Sequence, residues 1–417
     1  MKICKLSEIS INISSGMTPL RSNSEFWDNG IIPWLKTEQL GEKYIFDTNE
    51  YISEKALKET NAKIFPENTL SIAMYGEGKT RGNVSILKRS MATNQACCNV
   101  ELDTKKANPE YVYYFLKTQY NNLRLLSSGI RKNLNSNDIK NFYIKLPNLT
   151  TQKSIAHILS TLDQKIAINN QINAQLEQMA KTLYDYWFVQ FDFPDENGKP
   201  YKSSGGEMVY NDTLKREIPK GWEVKSLGEV VDLKNGINYS ASDYGDTQAK
   251  IVNVRDVSNC SIFIKSNELD ILSLDNKKLL PYQINEKNIL VVRSGKPGAT
   301  RLLGNVKDLT IYCGFIIAIV PKKEIMRNLI FWFLKNQELK IESQSAGTVL
   351  KNVSQDTLKG SLFLIPNSEN LILKFNTLID DIFKKICCFD EQNQQLTQLR
   401  DFLLPMLMNG QVGVGDD

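Results

Sequence analysis

The chain is written twice. Asn133-Leu134, Ile139-Lys140 and Leu146-Pro147-Asn148 recur as Asn352-Val353, Leu358-Lys359 and Ile365-Pro366-Asn367, at a constant offset of 219 residues. One fold used twice presents two equivalent surfaces, and two equivalent surfaces suit a target that is itself in two parts.

The repeat runs on into a regular ladder. Beyond Pro147 the apolar positions include Ile158, Leu162, Ile166, Leu176 and Leu183, with Asn173 among them; beyond Pro366 they include Leu378, Ile382, Ile386, Leu396 and Leu403, with Asn393 among them. Steps of three and four place these side chains on one narrow stripe of an α-helix, the pattern of a seam for another helix. A polar residue in each stripe disfavours slipped pairings, because only one register lets the amides meet. The spacing therefore predicts two long helices that pack together, and a helix of about 35 residues spans on the order of 50 Å. Paired antiparallel, such helices throw the globular halves to opposite ends of a rod.

The resulting domain plan is a globular domain at residues 1–148, a long helix at 149–189, a connector at 190–221, a second globular domain at 222–367 and a second long helix at 368–410. The connector is rich in Pro, Gly, Ser and charge and reads as exposed chain. Short β-branched runs at 69–74, 288–292 and 315–320 read as strands, while 109–125 and 323–337 read as helices with aromatics on one face. The fold class is α+β.

With 417 residues the chain is long enough for two domains, each with its own core. No apolar run reaches the ~20 residues needed to cross a bilayer, so a soluble cytoplasmic protein is expected. Seven cysteines, without a CxxC spacing, are expected to be reduced and mostly buried. Net charge is only +4, but it is segregated. Residues 1–148 carry 20 Lys and Arg against 15 Asp and Glu, and 222–366 carry 19 against 15, whereas 149–221 carry 8 against 9 and 367–417 carry 4 against 8. Basic globular domains beside acidic helices fit polyanion binding by the former and protein binding by the latter.

Catalytic motifs are poorly represented. Gly78-Lys79-Thr80 resembles the end of a phosphate-binding loop, but Ala73 stands where its first glycine belongs. Pro194-Asp195-Glu196 opens like a nuclease carboxylate motif, but Lys199 is misplaced. The single histidine, His157, lies on the first long helix beside the seam, where a structural role is expected. No metal-ligand cluster, nucleophile elbow or dinucleotide fingerprint is evident. A methyltransferase active site of the Asn/Asp-Pro-Pro-aromatic type is excluded, because the chain has no Pro-Pro.

What remains are loops in which glycine stands among basic and amide residues: 76–82 with Lys79 and Arg81, 128–133 with Arg131, Lys132 and Asn133, 293–301 with Arg293, Lys296 and Arg301, and 346–352 with Thr348, Lys351 and Asn352. Gly permits close backbone approach, Arg and Lys neutralise phosphate or fork onto guanine, and Asn pairs with adenine. These eleven residues are the candidate DNA contacts.

Two basic domains alternating with two long helices, the phrase from Ser128-Gly129 to Asn133-Leu134 leading to Leu146-Pro147, the segment Asn169-Asn170-Gln171-Ile172-Asn173, and the tail Leu399-Arg400-Asp401-Phe402-Leu403-Leu404-Pro405 together resemble the specificity subunit of type I restriction-modification systems. The resemblance covers nearly the whole chain. It implies that each globular domain is a target recognition domain reading one half of a bipartite, asymmetric DNA site. It further implies that the helices act as a ruler and dock two methylation subunits, and that restriction subunits join to cleave. The chain itself then needs no cofactor; S-adenosylmethionine, ATP and Mg are expected on the partner subunits. A coiled-coil adaptor that binds protein rather than DNA is the alternative.

Overall fold

The computed structural model describes residues 1–76, 80–126, 133–240, 244–304, 306–344 and 352–413. It divides into two compact units, Met1–Ala167 with Asn393–Asp417, and Ile168–Gln392. Each unit holds one globular domain, the start of the long helix that follows that domain, and the end of the other long helix. The long helices are therefore shared by the units and do not form a module of their own.

The two globular domains have the same topology. In the first, a five-stranded sheet runs in the order Ser10–Ser15, Cys97–Leu102, Leu70–Ala73, Val84–Leu87, Tyr44–Ile45, beside a three-stranded sheet of Glu50–Ile52, Ile32–Leu35 and Ala92–Thr93. In the second, the five strands are Val231–Asn235, Ile316–Pro321, Ile289–Val292, Thr300–Leu303 and Phe263–Ile264, and the three are Asp270–Leu274, Thr247–Val252 and Thr310–Tyr312. A further strand pair closes each domain where the chain enters and leaves it: Lys2–Lys5 with Tyr143–Leu146, and Glu223–Ser226 with Leu362–Ile365. The Leu-Pro and Ile-Pro phrases of the repeat thus end a closing strand, where proline cannot continue the ladder. The strands expected at 69–74, 288–292 and 315–320 are central members of these sheets. They are buried on both faces, which is why they read as continuous apolar runs.

The repeat also preserves a backbone corner. Gly16 follows the first strand of the first sheet, and a Cβ there would lie 2.1 Å from the Thr93 carbonyl oxygen; at Gly236 a Cβ would lie 2.1 Å from that of Cys313. Main chain packs on main chain at both places, with Gly16 N–H donating to Cys97 and Gly236 N–H to Ile316. Gly16→Ala and Gly236→Ala are each expected to cost roughly 1–3 kcal/mol, since the carbonyl that must yield is already held by a main-chain hydrogen bond, from Met17 to Thr93 and from Ile316 to Cys313. Urea unfolding of the two variants measures it, and stability equal to the parent would contradict the packing.

The long helices run Leu149–Tyr184 and Glu369–Asn409. Within the first unit Asp163 meets Arg400, while within the second Asn173 meets Asp390 and Tyr184 meets Phe375. In the second unit one number rises as the other falls, so the pairing there is antiparallel. The buried stripe starts on the expected ladders, at Ile155 and Phe375, and then shifts by one position to Leu159 and Ile379. Ile155 and Leu159, and their counterparts Phe375 and Ile379, are fully buried, whereas Ile158, Leu162 and Ile166 are half-buried and Leu378 is exposed. Each helix covers its globular domain as well as its partner helix, and the domain claims the stripe one position along. Of the remaining seam residues, Ile386 is buried, and Leu176, Leu183, Ile382, Leu396 and Leu403 are half-buried. Asn173 is buried, and its amide donates to Asp390 at 2.9 Å, not to the amide of Asn393 as the shared register suggested. Asn393 is half-buried.

The connector begins in the core and then runs mostly exposed, as expected. Phe191 and Phe193 at its start are buried in the core of the second unit together with Tyr184, Trp187 and Phe188 of the preceding helix and Trp222 of the following domain, with Phe188 edge-on to Phe375 at 4.8 Å and Phe193 stacked on Trp222 at 5.2 Å. A hairpin of Met208–Asn211 with Arg216–Pro219 follows. Gly, Ser and charge fall in its exposed turns, while Phe191 and Phe193 leave water for this aromatic core. All seven cysteines are free; burial pushes the Cys97 thiol up to about 12 and Cys98 to about 11, so both stay protonated.

Candidate nucleic-acid interface

The two candidate loops of each domain come together, and by the same bond. In the first domain the Leu134 N–H donates to the Met74 carbonyl at 3.1 Å; in the second the Val353 N–H donates to the Arg293 carbonyl at 2.9 Å, 219 residues on. Each bond ties the segment before a short helix to the loop between two central strands. That loop also closes alike in both: Gly82 N–H donates to Ala73, and Gly298 N–H donates to Val292, each at 2.9 Å. The glycines at both ends have positive φ, 137° at Gly76 and 88° at Gly82, 95° at Gly295 and 85° at Gly298. Residues 76–82 of the first domain thus correspond to 295–298 of the second. The shorter loop makes a different surface on the same frame.

Of the candidate contacts, Arg81 and Asn133 are half-buried on these loops of the first domain, and Arg293, Lys296 and the exposed Asn352 are on those of the second. Lys79, Arg131, Lys132, Thr348 and Lys351 lie outside the described residues. Arg301 is a correction. It stands on the strand Thr300–Leu303 at only 3% exposure, paired with Glu338 at 2.8 Å, with its Nε donating to the Cys260 carbonyl. Lys335 reaches the same carboxylate at 3.0 Å, and the Thr300 N–H donates to it at 3.1 Å. Burial works against the Glu338 charge, but the Arg301 hydrogen bond and Lys335 outweigh it and hold the carboxyl below its ordinary range. Arg301 is an interior ion pair of the second domain and does not face DNA.

Arg124 is a half-buried basic residue beside the first-domain loop that residue patterns did not single out. Its guanidinium bonds the Tyr120 hydroxyl at 2.6 Å and lies 5.3 Å from that ring, and its stem is 3.2 Å from where a Gly82 Cβ would be. Helical spacing of Tyr120 and Arg124 is visible in the sequence, but their approach to residue 82 is tertiary.

The helix pair offers a second kind of surface. In the second unit Met179, Leu183, Tyr186, Leu378 and Ile382 line a mostly apolar groove of about 600 Å³, with Asp381 and Lys385 at its side. Subtracting or adding the repeat offset of 220 leads to Leu399, Leu403, Met406, Ile158 and Leu162 in the first unit, with Thr161 and Lys165 alongside. Met179 is 57% exposed and its counterpart Leu399 46%, and Phe402, the counterpart of Thr182, is 62% exposed. The same apolar pattern is left open once per unit.

Comparison with known proteins places these features. Residues 1–178 and 219–398 match the family described as the type I restriction modification DNA specificity domain, once for each repeat. The chain is 29% identical over 412 residues to the type I restriction enzyme MjaIX specificity subunit of Methanocaldococcus jannaschii, covering 96% of this chain and 91% of that one. It is 26% identical over 365 residues to the HindI specificity subunit of Haemophilus influenzae, covering 73% and 77%. In fold it is similar to the S subunit of a type I restriction-modification system from M. genitalium, with a TM-score of 0.58 at 16% identity, over 97% of this chain and 95% of that one.

Proposed function

The chain belongs to the type I restriction-modification DNA specificity family, and we propose that its two globular domains each read one half of a bipartite, asymmetric DNA site. It is a DNA-recognition subunit and not itself an enzyme; the methyltransferase and endonuclease chemistry resides in partner subunits. The observation that carries the two-part reading is the pair of matched loop junctions at Met74–Leu134 and Arg293–Val353. Equal frames give equal approaches to a duplex, and unequal loops give unequal half-sites. A coiled-coil adaptor without DNA is not favoured, since it leaves the paired basic domains unused.

Two methylation subunits are the proposed partners of the helix pair, one at the apolar groove of the second unit and one at the matching apolar residues of the first, with restriction subunits joining that assembly. S-adenosylmethionine, ATP and Mg then belong to those partners. No helix among the described residues is long and apolar enough to cross a membrane, and the cytoplasm, where DNA is reached, is the proposed location.

The helices are proposed to set the gap between half-sites, because each runs unbroken from one unit into the other. Selection from a pool of random duplexes by the full chain with its partners tests the reading. Two blocks of fixed sequence separated by a fixed gap are expected, and a single block or none would contradict it. Inserting four residues after Asn170, about one helical turn or ~6 Å, is expected to lengthen the gap by one or two base pairs at ~3.4 Å each. An active insertion variant that still prefers the original gap would refute the ruler.

A further inference from the structure

The two domains build one turn at the same place and fill it differently. In the first, the Cys97 N–H donates to the Asn94 carbonyl, closing a turn with Gln95 and Ala96 at its tip; Ala96 is buried, and so is Met74, whose N–H donates to the Ala96 carbonyl. In the second, 219 residues on, the Ile316 N–H donates to the Cys313 carbonyl at 3.0 Å, and the tip is Gly314 and Phe315. Arg293 replaces Met74, its N–H donating to the Phe315 carbonyl at 2.8 Å and its Nη1 to the Gly314 carbonyl at 3.4 Å. Phe315 is 62% exposed, and Arg293 is half-buried beside it.

The turn holds this ring outward on a stiff base. A Cβ at Gly314 would lie 1.9 Å from the Asn238 Oδ1, so the main chain there is packed against the corner that begins at Gly236. Arg293 fastens the outer side. The result is an apolar wedge with a cation at its foot, on the loop frame already assigned to DNA, and only in the second domain.

We propose that Phe315 inserts into the base stack of the second half-site, while Arg293 neutralises the phosphate flanking the opened step. The proposal rests on the DNA-reading function and names how one domain performs it. Apolar side chains that enter a duplex favour steps that unstack cheaply, chiefly pyrimidine–purine steps. The second half-site is therefore expected to contain such a step at a fixed position. The first domain, with Ala96 at the same tip, reads without a wedge.

The test uses the full chain with its partners and the duplexes that the parent selects from a random pool. Phe315→Ala is expected to weaken binding to those duplexes by about tenfold or more, as for loss of a base–aromatic stack, and to relax selection at one step of one half-site only. Placing a mismatch at that step, which lowers the cost of opening it, is expected to tighten binding by the parent and not by the alanine variant. Arg293→Ala is expected to weaken binding to every duplex and to reduce the salt dependence by about one phosphate. Thermal melting of Phe315→Ala should match the parent, because the ring is exposed. Unchanged selection and affinity in Phe315→Ala, or a loss of partner assembly in place of DNA binding, would overturn the proposal. Failure of the parent itself to select any sequence would instead defeat the DNA-reading function on which the proposal rests.

Discussion

Arg301→Ala is expected to destabilise the second domain by about 3–5 kcal/mol, the cost of leaving a buried carboxylate without its partner. Glu338 is nearly as buried as Arg301, and it also accepts from Lys335 and from the Thr300 N–H. Removing the guanidinium leaves the carboxylate with those two donors and strips two carbonyls, Cys260 and Thr300, of theirs. Replacing both partners together, Arg301→Met with Glu338→Leu, is expected to recover most of the loss, because the desolvation of two charges disappears with them. Urea unfolding followed through Trp222 and Trp332 fluorescence reads both effects. A variant as stable as the parent but weaker on DNA would restore Arg301 to the interface and refute the ion-pair assignment. The pH dependence has a definite sign. Glu338 is held below its ordinary value of 4.5, so its contribution is present above that value and is lost as pH falls through the lowered one. The difference in stability between parent and Arg301→Ala should therefore shrink as pH falls below about 4.5.

The second large effect is on assembly. Met179→Glu places a charge in the groove of the second unit, and Phe402→Glu places one in the first at the position that matches Thr182, which lines the same groove. Both side chains are more than half exposed, so folding is expected to be unaffected, whereas an anchor buried by a partner typically costs 2 kcal/mol or more when lost. With two methylation subunits proposed for the parent, each single variant is expected to bind one and the double variant none. Mass measurement of the assembled complex counts them. A double variant that still binds two subunits would remove the grooves from the docking surface.

Much of this protein is legible in one dimension because its signals are periodic or repeated. Steps of three and four, carried over some 35 residues, determine two long helices whatever surrounds them. The 219-residue offset determines that both domains share a topology, and phrases such as Leu146-Pro147 and Ile365-Pro366 mark the strands that close them. Central strands announce themselves as unbroken apolar runs. The connector follows its composition through its exposed glycine- and charge-rich turns, but its first aromatics, Phe191 and Phe193, are drawn against Trp222 of the domain that follows.

The tertiary structure alone decided which charges face solvent. Arg293 and Arg301 stand eight residues apart in one glycine-containing segment, yet one caps a turn and the other is sealed in the sheet. The difference lies in Glu338, 37 residues further on, which only folding brings to Arg301. The helical stripe was decided in the same way. Periodicity gives the angle between apolar positions but not what covers them, and the core took Ile379, one position outside the periodic ladder, leaving Leu378 in the open. Sequence repeats and periods record local geometry, which a chain carries along its length; the burial of a particular charge or methyl depends on partners far away in sequence, and that is settled only when the chain closes on itself.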